Sequence, residues 1–277
     1  MSAGITIPTN DGKFALVYGR AHAILMRHPE WLAWFFSSVV WVTLVIAVFN
    51  VKNGIPHPGS VAYCGRMGTA TILNQPGTLP KIWATISTGM VSWMFMIVAM
   101  MFPLLNEPIK HIAFSLRRKD RVSGILSFLT GYILTWLLAG IFFLLMPLML
   151  TALIGEQGNL VNNMVRPSGF ILAAIWIWYP ARPLMMIKCG QTIPIRIENP
   201  HLVLDSLFYG LKMGKACLGN CWAPMIALVL AHHNILLMCV VTVVIVYERY
   251  LLPHTSKLSG YAWGIIGIAL LGIEMLA

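Results

Sequence analysis

The chain has 277 residues, of which 58% are hydrophobic and only 10% charged, far below the roughly one-quarter charged residues of a soluble globular domain. That balance excludes a soluble enzyme or a solvated binding module and points to an all-α, polytopic membrane helix bundle. A formal net charge of +10, from 19 Lys and Arg against 9 Asp and Glu, does not point to nucleic acid, because the basic residues fall in short loops between apolar runs and act there as topology signals.

The opening MSAGITIPTNDGKFALVYGR lacks the charged, apolar, small-residue order of a cleavable signal peptide, so the first apolar run is expected to stay as an uncleaved anchor. Residues 1–30 form a cytoplasmic or interfacial segment, in which Lys13, Arg20, His22, Arg27 and His28 alternate with apolar positions. An amphipathic helix lying in the interface and a solvated arm both fit that pattern. Residues 31–277 form a single transmembrane helical domain.

A spanning helix needs about 20 mostly apolar residues, and seven stretches meet or approach that length. They run from about Trp31 to Asn50, Ile82 to Leu105, Gly124 to Leu153, Gly169 to Ile187, Leu207 to Ala231, Ile235 to Leu252, and Tyr261 to the end. Pro180 and Pro183 are expected to kink or end the fourth. Placing the N-terminus in the cytoplasm puts Lys110, Arg117, Arg118, Lys119, Arg121, Arg182, Lys188, Arg196, Arg249 and Lys257 on the inner side with the N-terminal cations. Lys52, Arg66, Lys81 and Arg166 fall outside, and that imbalance sets the orientation in a cell inner membrane.

Five cysteines is an odd number, and Cys217, Cys221 and Cys239 lie within apolar runs, where free thiols or metal ligands fit better than a disulfide framework. In the fifth span, Met213, Cys217, Cys221 and Met225 are spaced four apart and stack on one helix face. Gly210, Gly214 and Gly219 allow a neighbouring helix to approach closely. Pro224 frees the carbonyl of Asn220 one turn back. The second span carries WMFMIVAMMFP, in which Met96 and Met100 share a face beside Met101, and this methionine face is the expected neighbour of the cysteine stripe.

Thiolate and thioether donors in a dry apolar setting favour Cu(I), so the candidate metal ligands are Met96, Met100, Cys217, Cys221 and Met225. Met101 and Met213 are secondary candidates, as is His233, which with His232 opens the sixth span. Close packing produces the same sulfur stripe, since Cys and Met are common buried residues, and His232 and His233 also read as ordinary interfacial histidines. Glu248 is expected to pair with Arg249, or with Lys212 and Lys215, as an ion pair that locks helices. Those lysines, if close to Cys217, would favour its thiolate.

No nucleophile elbow, Walker loop, His-Glu-x-x-His or dinucleotide fingerprint occurs, so an enzyme is not the expected class. A thiol redox enzyme using Cys217 and Cys221 is disfavoured, because Cα atoms at i and i+4 on a helix stand about 6 Å apart, near the limit for bridging. An accessory subunit of a larger membrane complex, such as a copper-dependent membrane enzyme, is the alternative to a copper-binding protein acting in copper handling or delivery to a membrane metalloenzyme. The expected partners are the lipid bilayer and such a complex, with no nucleic acid.

WMFMIVAMMFP, through Trp93, Met96, Ala99, Met100, Met101 and Pro103, resembles a signature of a bacterial family of predicted metal-binding integral membrane proteins. GLKMGKACLGNCWAPM is similar to a second signature of that family through Gly210, Gly214, Cys217, Gly219, Cys221, Trp222 and Met225. The Glu248–Arg249 pair in YERYLLP, RHPEWLAWFF, and YPARPLMMIKC with Cys189 resemble further segments. The resemblance covers the chain from about Arg27 and implies metal binding. It departs at Asn220, where the family pattern carries a further Cys, and at His233, near which it carries a Met.

Overall fold

The computed structural model describes residues 28–29, 31–52, 79–154, 158–180, 182–195, 201–231, 235–250 and 257–276. The expected N-terminal segment, apart from His28 and Pro29, lies outside them, as do His232 and His233. The described residues are nearly all helical, broken by short turns and by the non-helical run 191–195, with no strand. The helices are α1 (Trp31–Lys52), α2 (Leu79–Met101), α3 (Asn106–Ser115), α4 (Arg121–Ile154), α5 (Gly158–Trp178), α6 (Arg182–Gly190), α7 (His201–Leu230), α8 (Ile235–Tyr250) and α9 (Lys257–Leu276).

The second expected span does not stop at Leu105. A 3-10 turn, Phe102–Leu105, joins α2 to α3, and Gly89–Ser115 forms one apolar unit of 27 residues. Two prolines set this shape. Pro108 stands in the first turn of α3, where a missing N–H leaves no intrahelical bond unmade. Pro103 also lacks an N–H and so leaves the Ala99 carbonyl, four residues back, without its helical donor. Ser37 Oγ and Trp41 Nε1 of α1 donate to that carbonyl at 2.6 and 3.1 Å, tying α1 to α2 where the ladder is broken.

Among the described residues, three units are long and apolar enough to cross a membrane: Gly89–Ser115, Arg121–Met146 and His201–Leu230. Helices α5 and α6 would make a fourth as one broken span, bent by 80°. The break falls at Tyr179 and Pro180, as the prolines predict: α5 ends at Trp178 and α6 starts at Arg182, with Pro183 in its first turn. The apolar parts of α1 and α9, Trp31–Ala47 and Gly260–Gly272, are shorter.

Helix α7 is the hub of the bundle and packs on α4, α5 and α6, while α9 covers α5 and α1 covers α2. Its interior residues include Met213, Cys217, Cys221 and every position from Ala223 to Val229. Trp93 of α2 donates Nε1–H to the Trp136 carbonyl of α4 at 2.9 Å, so a large buried aromatic gains area and a hydrogen bond together. The outward faces are also apolar. Phe35 is 63% exposed, Leu138 62% and Ile268 69%, and contiguous apolar surface of this kind marks contact with lipid or protein.

Candidate metal centre

The sulfur stripe of α7 lies inside the protein: Met213, Cys217, Cys221 and Met225 are each at most 3% exposed. The glycines beside it decide what covers it. A Cβ on Gly210 would run into the Phe128 carbonyl oxygen, and one on Gly214 would stand 2.7 Å from Thr135 Oγ1. Reciprocally, a Cβ on Gly131 of α4 would meet the Leu207 carbonyl. The close neighbour of the glycine face is therefore α4, not the methionine face of α2 that the sequence suggested. Small residues occur on both partners, and that is what lets two helix backbones touch. Gly219, by contrast, faces Met185 of α6.

With α4 so close, Tyr132 reaches the stripe and donates its hydroxyl to Cys217 Sγ at 3.3 Å. Phe128, Tyr132 and Trp136, four apart, form an aromatic ladder along this contact, with ring centroids 6.4 and 6.5 Å apart. From α2, Met101 closes the other side, its Sδ 3.9 Å from Cys217 Sγ. Met96 and Met100 are buried to the same degree as Met101, yet among the described residues Met101 alone makes a thiol–thioether contact in this range. Asn220 Nδ2 lies 3.6 Å from Cys221 Sγ, and Asn220 Oδ1 has no partner. His233 lies outside the described residues.

Cys189 is the residue that sequence spacing missed. It is buried at the end of α6, and its thiol, like that of Cys221, interacts with the thiol of Cys217. Cys217 thus contacts Tyr132 and Met101, with the thiols of Cys189 and Cys221 in its electrostatic surroundings. Cys189 lies twenty-eight positions before Cys217, so no helical periodicity connects them, and the signal in the sequence was the resemblance of YPARPLMMIKC to a family segment. Cys189, Cys217, Cys221 and Cys239 are free thiols. No group of three or more His, Cys, Asp or Glu converges on one point among the described residues. Beside these thiols, the soft donor in contact with Cys217 is the Met101 thioether.

Helix α6 is held at both ends by two adjacent residues of α8. Glu248 forms a buried ion pair with Arg182 at 2.7 Å, with side-chain exposures of 5% and 2%. Arg249 Nη2 donates to the Cys189 carbonyl at 2.6 Å, and Nη1 to the Met186 carbonyl at 3.5 Å. A carboxylate at the first turn of α6 and a guanidinium on its last carbonyls suit the helix dipole. The partner of Glu248 is thus Arg182, not Arg249, Lys212 or Lys215. The reason is geometric: the break at Pro180 swings Arg182 inward, while Lys212 and Lys215 are exposed and line an outer cleft of about 940 Å³.

Two sulfurs sharing one ion at tetrahedral or trigonal angles, with metal–sulfur bonds of about 2.3 Å, stand about 3.8–4.0 Å apart. The Cys217–Met101 separation of 3.9 Å falls within that interval. Thioethers and thiols in this buried setting are soft donors of the kind that would suit Cu(I) better than zinc. Fold and interior together describe an all-helical protein whose centre is lined by soft sulfur donors. Residues 90–276, well over half the chain, match the model of the PpoB2 family, described as copper chaperone, and the chain belongs to that family. The matched segment begins just before the α2 methionines and includes every sulfur named here. No curated protein and no solved structure matches the chain.

Proposed function

We propose that the chain is a multi-pass inner-membrane copper carrier with seven spans and a cytoplasmic N-terminus. It holds Cu(I) on the sulfurs between α2 and α7 and delivers it to a membrane metalloenzyme. Cys217 is the central ligand, with Cys221 and Met101 beside it. Met96, Met100, Met225 and Met213 extend the set along the two helices, and Cys189 adds a thiol from α6. The observation that carries this reading is the 3.9 Å contact between Cys217 Sγ and Met101 Sδ in a buried, apolar interior, in a member of a copper-chaperone family.

Tyr132 keeps the Cys217 sulfur oriented before metal arrives. On loading, the thiol proton must leave, and the phenolic oxygen that now donates to the sulfur is the nearest polar atom to it. Copper is cargo here, so binding must be reversible, and a mixed thiol–thioether set binds less firmly than a closed thiolate cage. The test is elemental analysis of protein purified from copper-supplemented cells. Stoichiometric copper is expected in the unmodified chain, with loss in Cys217→Ser/Cys221→Ser. Copper-free wild-type protein, or copper retained by the double variant, would sink the proposal.

A further inference from the structure

The cleft of about 940 Å³ beside α7 is lined by Lys188, Lys212 and Lys215 and, among the described residues, by no Asp or Glu. All three lysines are exposed, and among the described residues none of them forms an ion pair. Its apolar wall includes Phe142 and Trp222. Its lining approaches the sulfur stripe in sequence: Lys188 precedes Cys189, and Met213, itself a lining residue, stands one helical turn before Cys217. Met213 is 3% exposed yet borders the cleft, so a soft donor lies at the boundary between the cationic surface and the buried thiols.

Resting on the copper-carrier reading, we propose that this cleft is the loading site for copper, and that its ligand is a small anionic Cu(I)–thiolate complex whose carrier thiol also bears carboxylates. Cu(I) held by two thiolates has a net negative charge even before the carboxylates are counted, which suits three cations with no carboxylate among the described residues of the lining. A cationic cleft raises the local concentration and on-rate of such a ligand by about 10- to 1,000-fold, and salt screens the effect. Transfer is a ligand exchange. The Met213 thioether meets the copper first. The two carrier thiolate–Cu(I) bonds then break in turn as the Cys217 Sγ–Cu(I) bond and then the Cys221 Sγ–Cu(I) bond form, and the protons of these two thiols pass to the two departing carrier thiolates. Copper stays Cu(I), and no electron moves.

The experiment uses the full chain in phosphatidylcholine nanodiscs, loaded either from Cu(I)–glutathione, which is anionic, or from Cu(I)–acetonitrile, which is cationic. The rate is followed by thiolate-to-Cu(I) charge-transfer absorption, and final copper content is measured separately. Lys188→Gln/Lys212→Gln/Lys215→Gln is expected to slow loading from the glutathione complex about tenfold or more, with the same final copper content and an unchanged rate from acetonitrile. The corresponding triple Lys→Arg variant retains the wild-type rates, and salt slows wild-type loading from glutathione alone. Equal glutathione rates in the wild type and the Gln variant, with normal acetonitrile loading, overturn the cleft proposal and leave the copper-carrier reading standing. Equal slowing from both donors also overturns it. Lysine dependence seen with both donors, and only after phosphatidylglycerol is added, would assign the cleft to a lipid phosphate and overturn the proposal. A wild type that takes copper from neither donor overturns both readings.

Discussion

Two faces of α7 meet their surroundings in different ways. On one face, Gly210 and Gly214 bring the backbone against α4, and Gly131 of α4 receives α7 in the same manner. On the other, Lys212, Lys215 and Trp222 border a cleft with α6 and the later part of α4. The sulfur stripe runs between the two. Where backbones touch, position is dictated within a fraction of an ångström, so Tyr132 can hold one thiol in place. Where side chains line a gap, the same helix keeps room for a ligand. The difference suggests that the α4 contact gives the centre its geometry, while the α6 side gives it access.

The largest effect expected from breaking this arrangement is at the clamp on α6. Glu248→Ala leaves Arg182 buried without its counter-charge, and loss of one partner of a buried pair costs about 3–5 kcal/mol. Thermal unfolding of the full chain in detergent should register that loss. Arg182→Met/Glu248→Met should recover most of it, because a buried ion pair replaced by apolar residues is often neutral. A double variant as unstable as the single one would show that the pair itself, not the orphaned charge, holds α6.

Next in size is the backbone contact. Gly210→Leu forces a side chain into the Phe128 carbonyl, and overpacking of this kind costs about 1–3 kcal/mol. It should also lower copper occupancy, since Tyr132 moves away with α4. Gly219→Ala meets only the flexible Met185 side chain, at 3.3 Å, and should be close to neutral in the same assay. Comparable destabilisation at both positions would erase the distinction between the two faces.

Smaller effects fall on the centre itself. Met101→Leu conserves volume, so stability should change by less than about 1.5 kcal/mol, whereas competition titration with a Cu(I) chelator should show clearly weaker copper binding. Met96→Leu should weaken it less, because Met101 is the thioether in contact with Cys217. The reverse ranking would move the centre up α2. Tyr132→Phe removes one hydrogen bond to sulfur and should cost about 0.5–1.5 kcal/mol or less, read by the same unfolding measurement.

Much of this was legible in the residues before any fold was known. Helical periodicity alone places Met213, Cys217, Cys221 and Met225 on one stripe, and composition makes that stripe buried. Pro180 and Pro183 announce the break between α5 and α6 because a missing N–H and a ring clash act locally. The chain also announces its small-residue faces through Gly210 and Gly214. What periodicity leaves open is the rotation of one helix relative to the next. For that reason the glycine face met α4 instead of α2, and Met101, one position from the Met96–Met100 face, is the methionine that reaches Cys217.

Local spacing therefore set the all-helical class, the sulfur stripe and the break at Pro180 and Pro183, since each follows from interactions within a few residues of the chain. Only the tertiary structure decided that Glu248 pairs with Arg182, 66 residues away, and that Cys189 joins Cys217. It also decided that Lys212 and Lys215 face a cleft and not the thiols. Those outcomes depend on how rigid helices with several competing faces fill space together, and local spacing carries no record of that choice.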